Sequence, residues 1–136
     1  KESYAVIDVG GDDRGALALG RFSDKIKEEN NYEMLFVINK FRPLTATPQL
    51  TAEVMREIEN AAGMTFTGIV NNSNLGDETT ESDIRSSFEY ANEVSRLTGL
   101  NIYATSVTAD TAENLKDVKN LMPINIYVRQ MWNKEE

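Results

Sequence analysis

Short apolar runs recur along this chain with helix-length stretches between them, and that alternation constrains the fold more than any other feature. The runs are Tyr4 to Val9, Met34 to Ile38, Phe66 to Asn72, Leu100 to Val107 and Ile124 to Val128. Apolar residues at consecutive positions suit a strand buried on both faces; strict alternation would suit a strand with one wet face. Between the runs, apolar residues fall at helical spacing: Leu17, Leu19, Phe22 and Ile26, then Leu50, Val54, Ile58 and Ala61, then Ile84, Phe88, Ala91, Val94 and Leu97. The pattern predicts an α/β fold, a three-layer arrangement with a mostly parallel sheet and helices on both faces.

Local signals place the element ends. A helix is expected from Ala16 to about Glu29. Thr47-Pro48 reads as an N-cap followed by proline at the first helical position, and Gly63 suits the stop. Thr80 and Asp83 have the spacing of a capping box, and Gly99 closes the helix that follows. A short helix is expected from Asp110 to about Leu121. The acidic stretch Gly76 to Asp83 reads as a helix-start loop complementing the helix dipole, because its spacing is wrong for a Ca²⁺ loop. Glu53, Glu57 and Glu59, with Arg56, read as a solvated helix face. The organisation is one α/β domain over residues 1–128 and a polar tail over 129–136, in which Trp132 is an anchor onto the domain or a partner.

Composition removes whole classes of chemistry. At 136 residues the chain is one domain, long enough to bury a core. It has no cysteine, so there is no thiolate nucleophile, thiolate metal cluster or iron–sulfur cluster, and no histidine, the commonest general base and zinc ligand. The net charge of −8, without a local Lys/Arg cluster, argues against a nucleic-acid partner. No apolar run approaches the roughly 20 residues of a membrane span, and no signal peptide opens the sequence, so a cytoplasmic protein is expected.

In parallel α/β sheets ligands bind at the carboxyl ends of the strands. Here those ends are polar and rich in asparagine: Asp8 to Asp12, Asn39-Lys40, Asn71 to Asn74, and Thr105-Ser106. Asparagine also favours turns, so one such residue alone says little. A carboxylate at the tip of a buried strand, like Asp8, packs poorly but is a good ligand for Mg²⁺ through water. Gly10 and Gly11 let a backbone approach a phosphate closely and change conformation when it leaves. Asp8 and Gly11 together have the D-x-x-G spacing found in the second half of a P-loop nucleotide site.

From Tyr4 to about Val118 the chain resembles the C-terminal half of the ParA/MinD/nitrogenase-iron-protein class of P-loop ATPases, within the CobQ/CobB/MinD/ParA nucleotide-binding group. "VIDVGGD" (Val6 to Asp12) is similar to the switch strand of that class, "FVINKFRP" (Phe36 to Pro43) to the intervening strand and its exit, and "GIVNNSN" (Gly68 to Asn74) to the strand ending in an adenine-contacting asparagine. The resemblance implies ATP and Mg²⁺ as ligands of the intact protein. It implies that Asp8 holds Mg²⁺ through water or polarises the attacking water, that Gly10 and Gly11 sense the γ-phosphate, and that Asp12 assists the water. By the same resemblance Asn39 belongs to the nucleotide-binding strand tips, Asn72 reads the adenine edge, and Ser106 and Val107 line the base pocket.

Two departures limit the likeness. The cluster cysteine of the nitrogenase iron protein would fall near Gly15, and the chain has none. There is also no G-x-x-x-x-G-K-[ST], the loop that supplies the amide cradle and lysine for the phosphates. The sequence opens at Lys1 rather than Met, so the expectation is half of a larger ATPase, inactive alone. Its partner would be the missing N-terminal half or a second copy, joined through a sheet edge left open where the P-loop strand belongs. Two other readings stand beside this one. The first is a nucleotide-free interaction module pairing through that edge. The second is a GTP-binding protein, from Asp8/Gly11, Asn39-Lys40 and Thr105-Ser106-Val107, although the guanine-reading aspartate would fall at Arg42, which cannot accept a hydrogen bond. A phosphoacceptor receiver domain, suggested by Asp12-Asp13, lacks the further aspartate that it needs at a later strand tip.

Overall fold

The computed structural model describes residues 3–127. In chain order the elements are α1 (Asp13–Gly20), α2 (Ser23–Glu29), β1 (Leu35–Ile38), a 3₁₀ turn (Pro43–Thr45), α3 (Pro48–Ala62), β2 (Gly68–Asn71), α4 (Glu81–Thr98), β3 (Ile102–Thr108), α5 (Ala109–Glu113) and β4 (Leu121–Ile124). The strands form one parallel sheet in the order β1-β2-β3-β4. The α/β class and the parallel sheet follow the sequence expectation.

Helix ends sit where their chemistry puts them. Thr47 accepts from the Leu50 amide and Pro48 opens α3, while Gly63, with φ of 63°, ends it in the left-handed region. Thr80 and Asp83 form both bonds of the capping box at the start of α4, and Gly99 closes it at φ of 75°. Together these caps hold α3 and α4, the two helices that carry most of the core. The helix expected from Ala16 to Glu29 is instead two. The break falls at Gly20–Phe22, where a Cβ on Gly20 would stand 3.0 Å from the Ala61 carbonyl oxygen of α3 and the Ser23 hydroxyl donates back to the Gly20 carbonyl. A close approach to α3 therefore outweighs helix continuity.

The core lies on one face of the sheet. Phe36 and Ile38 of β1 and Ile69 of β2 meet Met55, Ile58 and Ala62 of α3 and Tyr90, Ala91 and Val94 of α4, joined by Ala16 of α1. A second cluster, Ile84, Val107 and Leu115, continues the same layer beneath α4 and beside Ala112 of α5. The Phe36 and Phe66 rings stack at 4.8 Å between centroids, tilted by 36°.

Helices were expected on both faces, and on one face they are present. Strand order equals chain order, so right-handed crossovers place α3, α4 and α5 on the same side. The opposite face carries Leu35 and Val37 of β1, Tyr103 of β3, and Met122 and Ile124 of β4, all exposed. The Tyr103 ring lies over Gly68, where an added Cβ would meet it at 2.8 Å. Covering this face would take a crossover of opposite sense, from strands lying beyond β1.

Two strand expectations are corrected. Tyr4 to Val9 is not a strand: it has no sheet partner, and Tyr4 and Val6 are 95% and 98% exposed. Its apolar composition suits a buried strand, but a strand exists only against a neighbour, and β1 is the sheet edge. The last strand is Leu121–Ile124, not Ile124 to Val128, with Ser106 in register with Met122. Pro123 is accommodated because β4 is also an edge, where a missing N–H is not felt. Val128 and the tail over 129–136, with Trp132, lie outside the described residues.

Candidate functional site

Three strands deliver polar residues to their carboxyl ends. Asn39 and Lys40 follow β1, Asn71 ends β2 with Asn72 to Asn74 beyond it, and Thr105 and Ser106 lie in β3 beside them. The loops after β1 and β2 are stitched together by side chains. Asn39 donates from Nδ2 to the Asn74 carbonyl at 3.2 Å, and its Oδ1 accepts from the Phe41 and Asn74 amides at 2.9 and 3.3 Å. The Lys40 amide donates to Ser73 Oγ at 3.0 Å. The Lys40 ammonium turns toward α4, donating to the carbonyl and hydroxyl of Ser86 at 3.1 and 3.2 Å.

Adjacent asparagines in β2 and its exit do different work because a strand alternates its faces. Asn71 points under α4 and is fully buried. Its Nδ2 donates to Ser87 Oγ at 2.8 Å and to Thr105 Oγ1 at 3.5 Å, and its Oδ1 accepts from Ser73 Oγ at 2.7 Å. This amide is saturated and belongs to the scaffold. Asn72 is only half-buried. Ser106 Oγ donates to its Oδ1, fixing the side chain. Among the described residues, Asn72 Nδ2 donates to nothing, and its Oδ1 retains a lone pair. Asn72 is thus an oriented amide with both N–H donors and one acceptor lone pair free for a planar ligand edge.

The remaining residues singled out from the sequence are dispersed. The Val107 side chain packs in the core against Ile84 and Leu115, on the face opposite Ser106, so it lines no pocket beside Asn72. Asp12 is the N-cap of α1, its Oδ1 accepting from the Gly15 amide at 2.9 Å. Asp8, Gly10 and Gly11 are exposed in the segment that precedes α1, and among the described residues no hydrogen bond or ion pair joins them to the strand tips. The tips of β1, β2 and β3 converge; the D-x-x-G segment does not join them. Among the described residues no group of three or more acidic side chains could hold a metal ion. Among the described residues no helix is long and apolar enough to cross a membrane.

A buried hydroxyl network was not anticipated. Thr51 Oγ1 and Tyr90 Oη lie 2.7 Å apart, and the Tyr90 hydroxyl donates to the Thr45 carbonyl at 2.8 Å, tying α4 to the loop after β1. Burial pushes the Tyr90 phenol above its usual range, against the lowering effect of its bonds to Thr51 and Thr45. The sequence held one signal for such polar positions: Ser87 and Thr51 fall on the apolar stripes of their helices, where a polar residue needs a partner. On the surface, Arg85 forms a two-pronged pair with Asp117 and a further bond to Glu81. The Arg85 contact holds the Asp117 carboxyl below its usual range, and the Thr80 hydroxyl and amide do the same for Asp83. Compared with family models, curated proteins and solved structures, the chain matches none of them.

Proposed function

We propose that this chain is the base-reading part of an adenine-nucleotide site in a P-loop ATPase of the ParA/MinD type, with the phosphate-binding loop supplied by a segment outside this sequence. The observation that carries the reading is Asn72: at the carboxyl end of a central parallel strand, held through Oδ1 by Ser106, with Nδ2 and one lone pair unused. The adenine edge offers an acceptor and a donor side by side, which an asparagine amide matches. The parallel sheet and its polar strand ends are compatible with such a site. Helices on the second face, the third layer of a P-loop fold, would come with the strands that supply the phosphate loop.

In the assembled site Asp8 would hold Mg²⁺ through water, and Gly10 and Gly11 would follow the γ-phosphate. Asp12 already caps α1, so any part in positioning water would use its second carboxylate oxygen. Guanine is disfavoured: Arg42 stands where an acceptor is needed, and Asn39 already spends both ends of its amide tying loops together.

Without the cradle, binding is weak and no turnover occurs. The test is ¹⁵N-resolved NMR of the chain titrated with millimolar ATP and then GTP. ATP is expected to shift the Asn72 side-chain amide and the Ser106 amide, with GTP producing smaller shifts. Asn72→Asp, which exchanges the donor for an acceptor, is expected to reverse that preference. Shifts that avoid Asn72, or no shifts with either nucleotide, would overturn the assignment.

A further inference from the structure

An asparagine amide has two ends of nearly the same shape and opposite hydrogen-bonding sense. Free to turn, it offers a ligand edge the donor and the acceptor in either order. The pairing edges of the two purines demand opposite orders. Adenine sets an exocyclic donor beside a ring acceptor, and guanine sets an exocyclic acceptor beside a ring donor. A freely turning amide therefore serves both bases, and base choice has to come from whatever stops it turning.

In this chain the turning is stopped at one atom. The Asn72 backbone is fixed first: its N–H donates to the Ile38 carbonyl at 2.8 Å, and its carbonyl accepts from Asn74 Nδ2 at 2.8 Å. The side chain then meets Ser106, which is buried in β3 between β2 and β4. Ser106 Oγ stands 2.5 Å from Asn72 Oδ1 and 3.5 Å from the Asn71 carbonyl oxygen. A hydroxyl has one proton to give. The shorter contact fits an O–H···O bond, about 2.5–3.0 Å, and is too short for N–H···O, about 2.7–3.2 Å. The proton therefore goes to Asn72, and the end of the amide that meets Ser106 is its oxygen. Turned over, the amide would press Nδ2 into the same contact and leave the buried hydroxyl proton only the Asn71 carbonyl at 3.5 Å. An unmade bond at a buried hydroxyl disfavours that state about tenfold or more. Among the described residues no other group bonds the Asn72 side chain.

We infer that Ser106 is the positioning residue of the base site: its single proton sets which end of the Asn72 amide faces the ligand, and through that end it sets adenine over guanine. The orientation belongs to the free chain, while its consequence for the base rests on the adenine reading of Asn72. Ser106 acts through the amide, so its loss relaxes the choice more than it weakens binding.

The experiment uses the full chain, and its first part contains no nucleotide. Nitrogen-15 relaxation and proton nuclear Overhauser effects are recorded on the Asn72 side-chain amide, with and without Ser106→Ala. The unsubstituted chain is expected to show an ordered amide, with weak Overhauser effects from the Nδ2 protons to the Ser106 β protons because Oδ1 lies between them. Ser106→Ala is expected to release the amide while the backbone amide spectrum outside the strand tips stays in place. An amide equally ordered in both chains, or a strong effect between Nδ2 and the Ser106 β protons, would overturn the inference whatever nucleotide does. The second part is titration with millimolar ATP and GTP. Ser106→Ala is expected to bring the two affinities within about twofold of each other while lowering that for ATP by less than about threefold. In an Asn72→Asp background, whose carboxylate has two equal ends, adding Ser106→Ala is expected to leave the ratio of affinities unchanged. A ratio that Ser106→Ala does not move, or moves equally in both backgrounds, would overturn the assignment of base choice to Ser106. No response at Asn72 to either nucleotide would overturn that assignment together with the adenine reading, and the relaxation result still decides the orientation.

Discussion

Tyr4 to Val9 and Gly68 to Asn71 are both apolar runs that meet a polar residue, yet one is exposed and the other is fully enclosed. Ile69 of β2 is 0% exposed, packed beneath α3 and α4; Ile7 is 65% exposed. Their hydrophobicity is similar, so composition does not explain the difference. β2 has a strand on each side, which satisfies its backbone groups, and α3 and α4 pack over its apolar side chains. Tyr4–Val9 has no strand beside it among the described residues. A strand is a relation between chains of backbone, not a property of a sequence window.

The largest effect that sharpens this contrast is at the two isoleucines. Ile69→Ala is expected to cost about 3–4 kcal/mol in denaturant unfolding, because its site is closed on all sides and leaves a cavity. Ile7→Ala is expected to change the stability of the dilute monomer by no more than about 0.5 kcal/mol. Equal losses would mean that the N-terminal segment is packed against the domain, and the contrast would fail.

The second comparison is within the site. Asn71→Ala removes a buried amide that bonds the hydroxyls of Ser73, Ser87 and Thr105, leaving Ser73 bonded only by the Lys40 amide and Ser87 only to the Ile84 carbonyl, and is expected to cost about 2–3 kcal/mol. Asn72→Ala removes a single bond, from Ser106, and is expected to cost no more than about 1 kcal/mol. That ordering, read by thermal or denaturant melting, separates the scaffold amide from the poised one. Its reversal would make Asn72 structural and remove the basis of the base-reading assignment.

The smallest effect concerns Tyr90. Its phenol is raised in the folded state by burial, so folding favours the neutral form. Stability from this group is complete below the unfolded value near 10 and is lost as pH rises through the folded value. Tyr90→Phe is expected to cost about 1 kcal/mol at neutral pH, through the bonds to Thr51 and Thr45. It is also expected to flatten the fall in stability above pH of about 10, measured as the difference between the two chains' melting curves. An unchanged alkaline slope would show that the hydroxyl is not part of the buried layer.

The helix ends were legible because their determinants are local. Thr47-Pro48, Thr80/Asp83, Gly63 and Gly99 act within one turn, and each is where its chemistry predicts. The strands β1, β2 and β3 were legible because the apolar runs that form them are flanked by those helices. The split of the first helix was not, because it depends on Gly20 meeting the α3 backbone some forty residues away in the chain. Neither was the shift of the last strand, which is decided by pairing with β3.

The candidate site divides in the same way. Sequence placed asparagines and a serine at the strand ends, since a parallel α/β chain must put its loops there. The resemblance singled out Asn72, but the residues by themselves did not separate Asn71 from Asn72, or Ser106 from Val107, because which neighbour faces α4 depends on register and on the irregularity between Ile69 and Val70. By itself the sequence determined the α/β class, the helix caps and which residues reach the tips of β1, β2 and β3, all set by local backbone chemistry and burial pattern. Only the tertiary structure decided which strands pair, which face is covered, and which amide is left free. Those outcomes depend on neighbours distant in the chain, and no window of sequence contains them.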